Sequence, residues 1–172
     1  MAKRSTLYIA GLEFNYEHKA VEIFVSGCTR KCKGCHNPEL QTYKIGTPFR
    51  RWLDINKSPI SKEWNLLFDD VWIVGGDLLC QDPDEAVEFL KCLRSVLPES
   101  MRIVLWTGEE ELINVPDEIF ELCDGCKLGA YRKDLKGWQA PYLLADGTVT
   151  QIKLASNNQR FLFPVEKTSC QK

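Results

Sequence analysis

The chain has 172 residues, 44% hydrophobic and 27% charged, with a formal net charge of -2 and an isoelectric point near 5.8. That is enough apolar material for one ordinary core across residues 1–172. The scattered, nearly balanced charge argues against nucleic acid as a partner, and no apolar run approaches the roughly 20 residues of a membrane span.

The opening "MAKRSTLYIAGLEF" lacks the long apolar region and small-residue cleavage site of a signal peptide, so a cytoplasmic location is expected. Eight cysteines fall below the density of a disulfide scaffold. In a reducing compartment, clustered cysteines point to metal binding or catalysis.

In chain order, "VEIFVSG" (Val21 to Gly27) is β-branched and aromatic and predicts a buried strand. A cysteine loop follows. "NPELQTY" opens as a helix, with Asn37 as N-cap and Pro38 at the first helical position. "SKEWNLLF" (Ser61 to Phe68) predicts a helix entered from a serine cap, and "DVWIVGG" (Asp70 to Gly76) a second strand. "DPDEAVEFLKCLRSVL" (Asp82 to Leu97) is amphipathic, acidic first and basic late, as a helix macrodipole prefers. "RIVLWTG" (Arg102 to Gly108) predicts a third strand, Pro116 to Cys123 a helix, and "CDGCKLG" a fourth strand. The tail predicts a hairpin, "APYLLADGTVTQIKLA", turning at Asp146-Gly147, and a last strand, "RFLFPV".

Apolar strands alternating with helices imply α/β architecture, as a parallel sheet covered on both faces or as a barrel. Ligands gather at the carboxyl ends of such strands. Three unusual loops lie there: the cysteine loop after Gly27, "GGDLLCQD" after Val74, and "WTGEEE" after Leu105. One cavity bordered by the cysteines, Gly75 to Asp77 and Trp106 to Gly108 is therefore expected.

Cys28, Cys32 and Cys35 are spaced C-x3-C-x2-C in "SGCTRKCKGCHNPE". A structural zinc site wants four ligands. Three thiolates on one loop can instead hold three corners of an iron–sulfur cube, leaving one iron without a protein ligand. An amino acid headgroup would suit that position.

The cysteine motif, with "VGGDLLCQD", "LWTGEEE" and "ASNNQRF", resembles the radical S-adenosylmethionine (SAM) superfamily. Within it the chain is similar to the anaerobic ribonucleotide reductase activating proteins. The resemblance implies a shortened, open (β/α) partial barrel of about five or six mainly parallel strands. It implies a 4Fe-4S cluster on Cys28, Cys32 and Cys35, and SAM held by Gly75, Gly76 and Asp77, with Asp77 facing the SAM amino group. Trp106, Thr107 and Gly108 would line the pocket, and His36 and Asn37 would face the adenine or ribose. Ser156, Asn158, Gln159 and Arg160 would lie at its mouth.

The implied reaction is reductive cleavage of SAM to methionine and a 5′-deoxyadenosyl radical, which takes hydrogen from a glycine of the partner reductase. A reducing protein such as a flavodoxin would supply the electron. Three features depart from the family pattern: "LEFNYEHKAV" replaces an "NGPG"-like segment, Leu78 in "GGDLL" stands where the glycine strand end often continues with Pro, and Cys123-x-x-Cys126 stands where a strand with Asp-Gly is expected. An activase for another glycyl-radical enzyme and a small-molecule radical SAM enzyme stay open as alternatives. So does a non-enzymatic zinc or electron-transfer module, with His36 as the fourth zinc ligand beside the three cysteines. Cys123-x-x-Cys126 separately reads as buried core cysteines, an auxiliary cluster, a redox pair, or a zinc site completed by Cys80 or Cys170. Cys80, Cys92 and Cys170 otherwise read as structural.

Overall fold

The computed structural model describes residues 6–164. Cys170 and the end of the predicted last strand, Val165, lie outside them. The chain begins with a hairpin, β1 (Tyr8–Asn15) and β2 (Ala20–Val25). A two-residue strand β3 (Thr47–Pro48) leads into α1 (Phe49–Lys62). Then come β4 (Asp70–Gly75), α2 (Pro83–Val96), β5 (Arg102–Trp106), α3 (Asp117–Leu122) and β6 (Gly125–Leu128). A second hairpin, β7 (Trp138–Leu143) and β8 (Val149–Leu154), precedes β9 (Arg160–Leu162).

Seven strands form one open sheet in the order β3-β1-β2-β4-β5-β6-β9. Four of them, β2, β4, β5 and β6, run parallel, fewer than the five or six expected. Antiparallel partners flank them on both sides.

The strands alternate between two cores, as a period of two requires. Val71 and Ile73 of β4, with Ile103 and Leu105 of β5, face the helices and pack with Phe49, Phe89, Leu90 and Leu93. Trp72 and Val104 face the other way, where the β7–β8 hairpin supplies Ala140, Tyr142, Ile152 and Leu154. The second face is thus covered by strands rather than by helices.

α2 is well specified by its sequence. The Asp82 side chain accepts from the amides of Asp84 and Glu85 and caps the helix, with Pro83 in its first turn. Glu85, 2% exposed, accepts from the Thr6 amide at 2.6 Å and the Leu7 amide at 2.7 Å, pinning the chain before β1 to the helix.

Two predicted helices differ. The Ser61–Phe68 segment holds only the end of α1 and a short 3-10 turn, Trp64–Leu66. The helix lies earlier, and its buried Phe49, Trp52, Leu53 and Ile60 keep helical spacing. Pro59 sits inside its last turns. The "NPELQTY" segment makes only a 3-10 turn, Pro38–Gln41, and the Asn37 side chain does not cap it. Its carbonyls are taken elsewhere: Leu40 O accepts from Gly27 N at 2.8 Å and Gln41 O from Cys28 N at 3.3 Å.

A buried polar network ties the hairpin to the amino end of the parallel strands. The Trp72 indole donates to the Tyr142 hydroxyl at 2.9 Å, which donates to Asp70 at 2.6 Å. Arg102 binds the same carboxylate in bidentate fashion at 2.7 and 2.8 Å, so the buried charge is paired. Tyr142→Phe removes the link and orphans the Trp72 N–H. It should lower stability by about 1–3 kcal/mol in urea unfolding; an unchanged midpoint would mean the hydroxyl adds no net stability.

Candidate cluster and cofactor site

β2, β4 and β5 end level with one another, because Val25 pairs with Gly75 and Ile73 with Leu105. Their exits are set by backbone. Gly27 has φ of +100° and Gly75 of +98°, a region that favours glycine. Gly76 N donates to Val25 O at 2.7 Å and Asp77 N to Gly27 O at 3.1 Å. The Gln81 amide also donates to Gly27 O, at 2.8 Å. A Cβ at Gly76 would stand 2.5 Å from that same carbonyl oxygen.

Between these loops lies a cavity of about 480 Å³, within the usual range for a small-molecule site. Cys28, Cys32, Cys35, His36 and Asn37 line it from the first loop. Gly75, Gly76 and Asp77 line it from the second, and Trp106, Thr107 and Gly108 from the third. The structure therefore brings the residues selected from these three loops to one cavity, but not Ser156, Asn158 and Arg160 of the tail. Gln159 reaches its wall, whereas Asn158 and Arg160 act just outside. Asn158 donates to Ala130 O at 2.9 Å, bracing the loop after β6, and Arg160 to Glu110 O at 3.1 Å, bracing the loop after β5.

The three cysteines are free thiols, and they are the soft donors an iron–sulfur cube takes at separate corners. Among the described residues, no three His, Cys, Asp or Glu side chains are grouped to hold a single ion. The His36 ring instead packs against Tyr131, with centroids 4.6 Å apart. The donor set fits a cluster.

Asp77 is 2% exposed, and its carboxylate is a hub. It accepts from Leu79 N, Gly108 N and the Thr107 hydroxyl, each near 2.9 Å. It also pairs with Arg30 of the cysteine loop at 2.5 Å. Arg30 reaches Thr107 and Glu109 as well, both at 3.4 Å. The carboxylate thus locks all three loops together, a role the sequence reading did not assign.

Lys127, on β6, is also new to the site. It is buried, lines the cavity, and donates to Gly129 O at 2.8 Å and Thr107 O at 3.3 Å. Burial pushes its ammonium down to about 8, against the pull of Asp77. Its signal was available: a lone charge in a strand whose four residues are all buried.

The other cysteines divide. Cys123 ends α3 and Cys126 lies on β6, and both are buried. Burial pushes both thiols up, as expected of inert core cysteines. Cys80 is not merely structural in place. It follows Asp77 in a short 3-10 turn, and its sulfur accepts from the Thr29 hydroxyl at 3.4 Å and is a hydrogen-bonding neighbour of the free Cys28 thiol. These contacts draw the Cys80 thiol down and push the Cys28 thiol up.

Level strand ends, a three-thiol loop and a glycine-lined cavity define an iron–sulfur protein with room for a further ligand. The family described as a 4Fe-4S single cluster domain matches residues 17–145, and the chain belongs to it. An anaerobic ribonucleoside-triphosphate reductase-activating protein of Escherichia coli strain K12 is 27% identical over 140 residues, covering 76% of this chain and 84% of that protein. The protein of the same name from Salmonella typhimurium is 26% identical over the same coverage. That from Pasteurella multocida is 27% identical over 95 residues, 55% of this chain and 60% of its own. No solved structure gives a significant match.

Two predictions follow from the geometry. Gly76→Ala forces the Gly27 carbonyl aside, so it should cost about 1–3 kcal/mol and reduce iron and sulfide uptake. Unfolding curves with iron analysis would show both; full uptake would mean the loop tolerates displacement. Lys127→Met removes a buried cation that the native state protonates less readily than the unfolded chain. With a folded value near 8 against an ordinary 10.5, wild-type stability should rise with pH across that window and be lowest below it. The variant should therefore be more stable than wild type at pH 7, on the order of 3 kcal/mol, with the gap closing by about pH 10.5. Equal pH profiles would refute the cost assigned to the charge.

Proposed function

We propose that the chain is the activase of an anaerobic ribonucleoside-triphosphate reductase, acting on a glycine of the reductase large subunit. In this reading Cys28, Cys32 and Cys35 hold a 4Fe-4S cluster, and the rest of the cavity holds SAM. The observation that carries it is the convergence of the three cysteines, the Gly75–Asp77 strand end and the Trp106–Gly108 strand end on one cavity of about 480 Å³. The names of the relatives support the choice of partner. When bound and reduced, such a cluster supplies the electron that cleaves SAM.

The chain's own residues bind, orient and exclude water. Gly75 and Gly76 carry no side chains, so backbone can approach the amino acid end of SAM. Asp77 holds the loops in register and lies close enough to the cavity to balance an ammonium. The Trp106 ring forms an apolar wall, with the Lys127 nitrogen 5.8 Å from its centroid. His36 and Asn37 lie on the loop side for the nucleoside. The open sheet is read as a radical-SAM partial barrel, a single domain over residues 1–172, whose open side would admit a loop of the reductase. The expected setting is the cytoplasm, with a reducing protein such as a flavodoxin as donor. Among the described residues, no helix is long and apolar enough to cross a membrane.

The test is anaerobic. The cluster is reconstituted and reduced, and SAM and the reductase large subunit are added. Wild type should yield 5′-deoxyadenosine and a glycyl radical doublet on the partner by electron paramagnetic resonance, and Cys32→Ala neither. Deoxyadenosine without the doublet would mean another partner. Absence of both, from a loaded and reducible protein, would refute the activase reading.

A further inference from the structure

Cys80 lies outside the three-cysteine motif, yet the fold holds it against the first cysteine of that motif. The Gly27 carbonyl accepts from both Asp77 N and the Gln81 side chain, so the segments before Cys28 and around Cys80 are bonded on either side. Thr29, next to Cys28, donates to the Cys80 sulfur at 3.4 Å, and the reduced Cys28 and Cys80 thiols are hydrogen-bonding neighbours. The Tyr43 hydroxyl donates to the Cys80 carbonyl at 2.8 Å and fixes the backbone there. Both thiols are partly exposed, in contrast to the buried Cys123 and Cys126.

We propose that Cys28 and Cys80 form a reversible disulfide in the cluster-free protein, which withholds Cys28 from iron until the bond is reduced. The oxidant is a small-molecule disulfide. The Cys80 thiolate attacks it, its S–S bond breaks, and one small thiol leaves with a proton. The Cys28 thiolate then attacks the mixed disulfide at the Cys80 sulfur, expelling the second small thiol. Two protein thiols and one small disulfide become one protein disulfide and two small thiols, and two electrons pass from protein to oxidant. Withholding iron rests on the reading of Cys28 as a cluster ligand; formation of the bond does not.

The full-length cluster-free protein is incubated anaerobically with oxidised glutathione, alkylated and mapped by peptide mass spectrometry without reduction. The expected result is a linked peptide pair joining Cys28 to Cys80, removed by dithiothreitol. Iron and sulfide uptake should fall on oxidation and return on reduction. Cys80→Ala, with Cys80→Ser as a second variant, should give no such pair and take up iron regardless of glutathione. Finding Cys28 joined to Cys32 or Cys35, or Cys80 still alkylated, overturns the proposal from the wild-type map alone. A Cys28–Cys80 bond that leaves iron uptake unchanged overturns the withholding step. If the reduced protein itself takes up no iron, withholding fails together with the cluster reading, while the map still decides the bond.

Discussion

The carbonyl oxygen of Gly27 is the contact on which the rest of the site depends. It lies just after β2, and it accepts from the Asp77 amide and the Gln81 side chain in the segment that follows β4. Parallel pairing brings the two strands to the same level, and this carbonyl joins the loops that leave them. A side chain at Gly76 would occupy the space of that oxygen. The cysteine loop, the glycine strand end and the cavity between them therefore form one unit.

Charge is distributed unevenly along the same strands. At their amino ends, Asp70 is buried but matched by a bidentate Arg102 and the Tyr142 hydroxyl, an arrangement that serves packing. At their carboxyl ends, Asp77 and Arg30 pair across loops, while the buried Lys127 ammonium donates to two backbone carbonyls. A buried cation held by neutral oxygens costs stability. Its place in the cavity wall makes that cost intelligible as electrostatic preparation for an anionic ligand or cluster.

Much of this was legible in the sequence, and the reasons differ by element. β4 and β5 are short apolar runs ending in glycine or a loop, so their carboxyl ends and the cavity could be placed. α2 carries its cap, proline and charge gradient in plain view. α1 was missed because Pro59 and polar residues dilute a pattern that tertiary burial of Phe49, Trp52 and Leu53 completes. β1 was missed because the turn after it, closed by Lys19 at φ of 50°, carries no Gly or Pro signal. The Asn37 cap was overridden when the Gly27 and Cys28 amides, in the loop leaving β2, captured the carbonyls of Leu40 and Gln41. The candidate residues reached the cavity because strand ends fix loops, but Arg30 and Tyr131 depend on side-chain direction, which spacing does not encode.

The central claim is that a three-thiol loop leaves one iron open to the amino acid end of SAM. The direct measurement is electron–nuclear double resonance on the reduced, reconstituted protein with SAM labelled by nitrogen-15 at its amino group. The account predicts a nitrogen hyperfine coupling that appears only with SAM and reports its amine at the cluster. A reduced cluster whose spectrum is the same with and without SAM would contradict it.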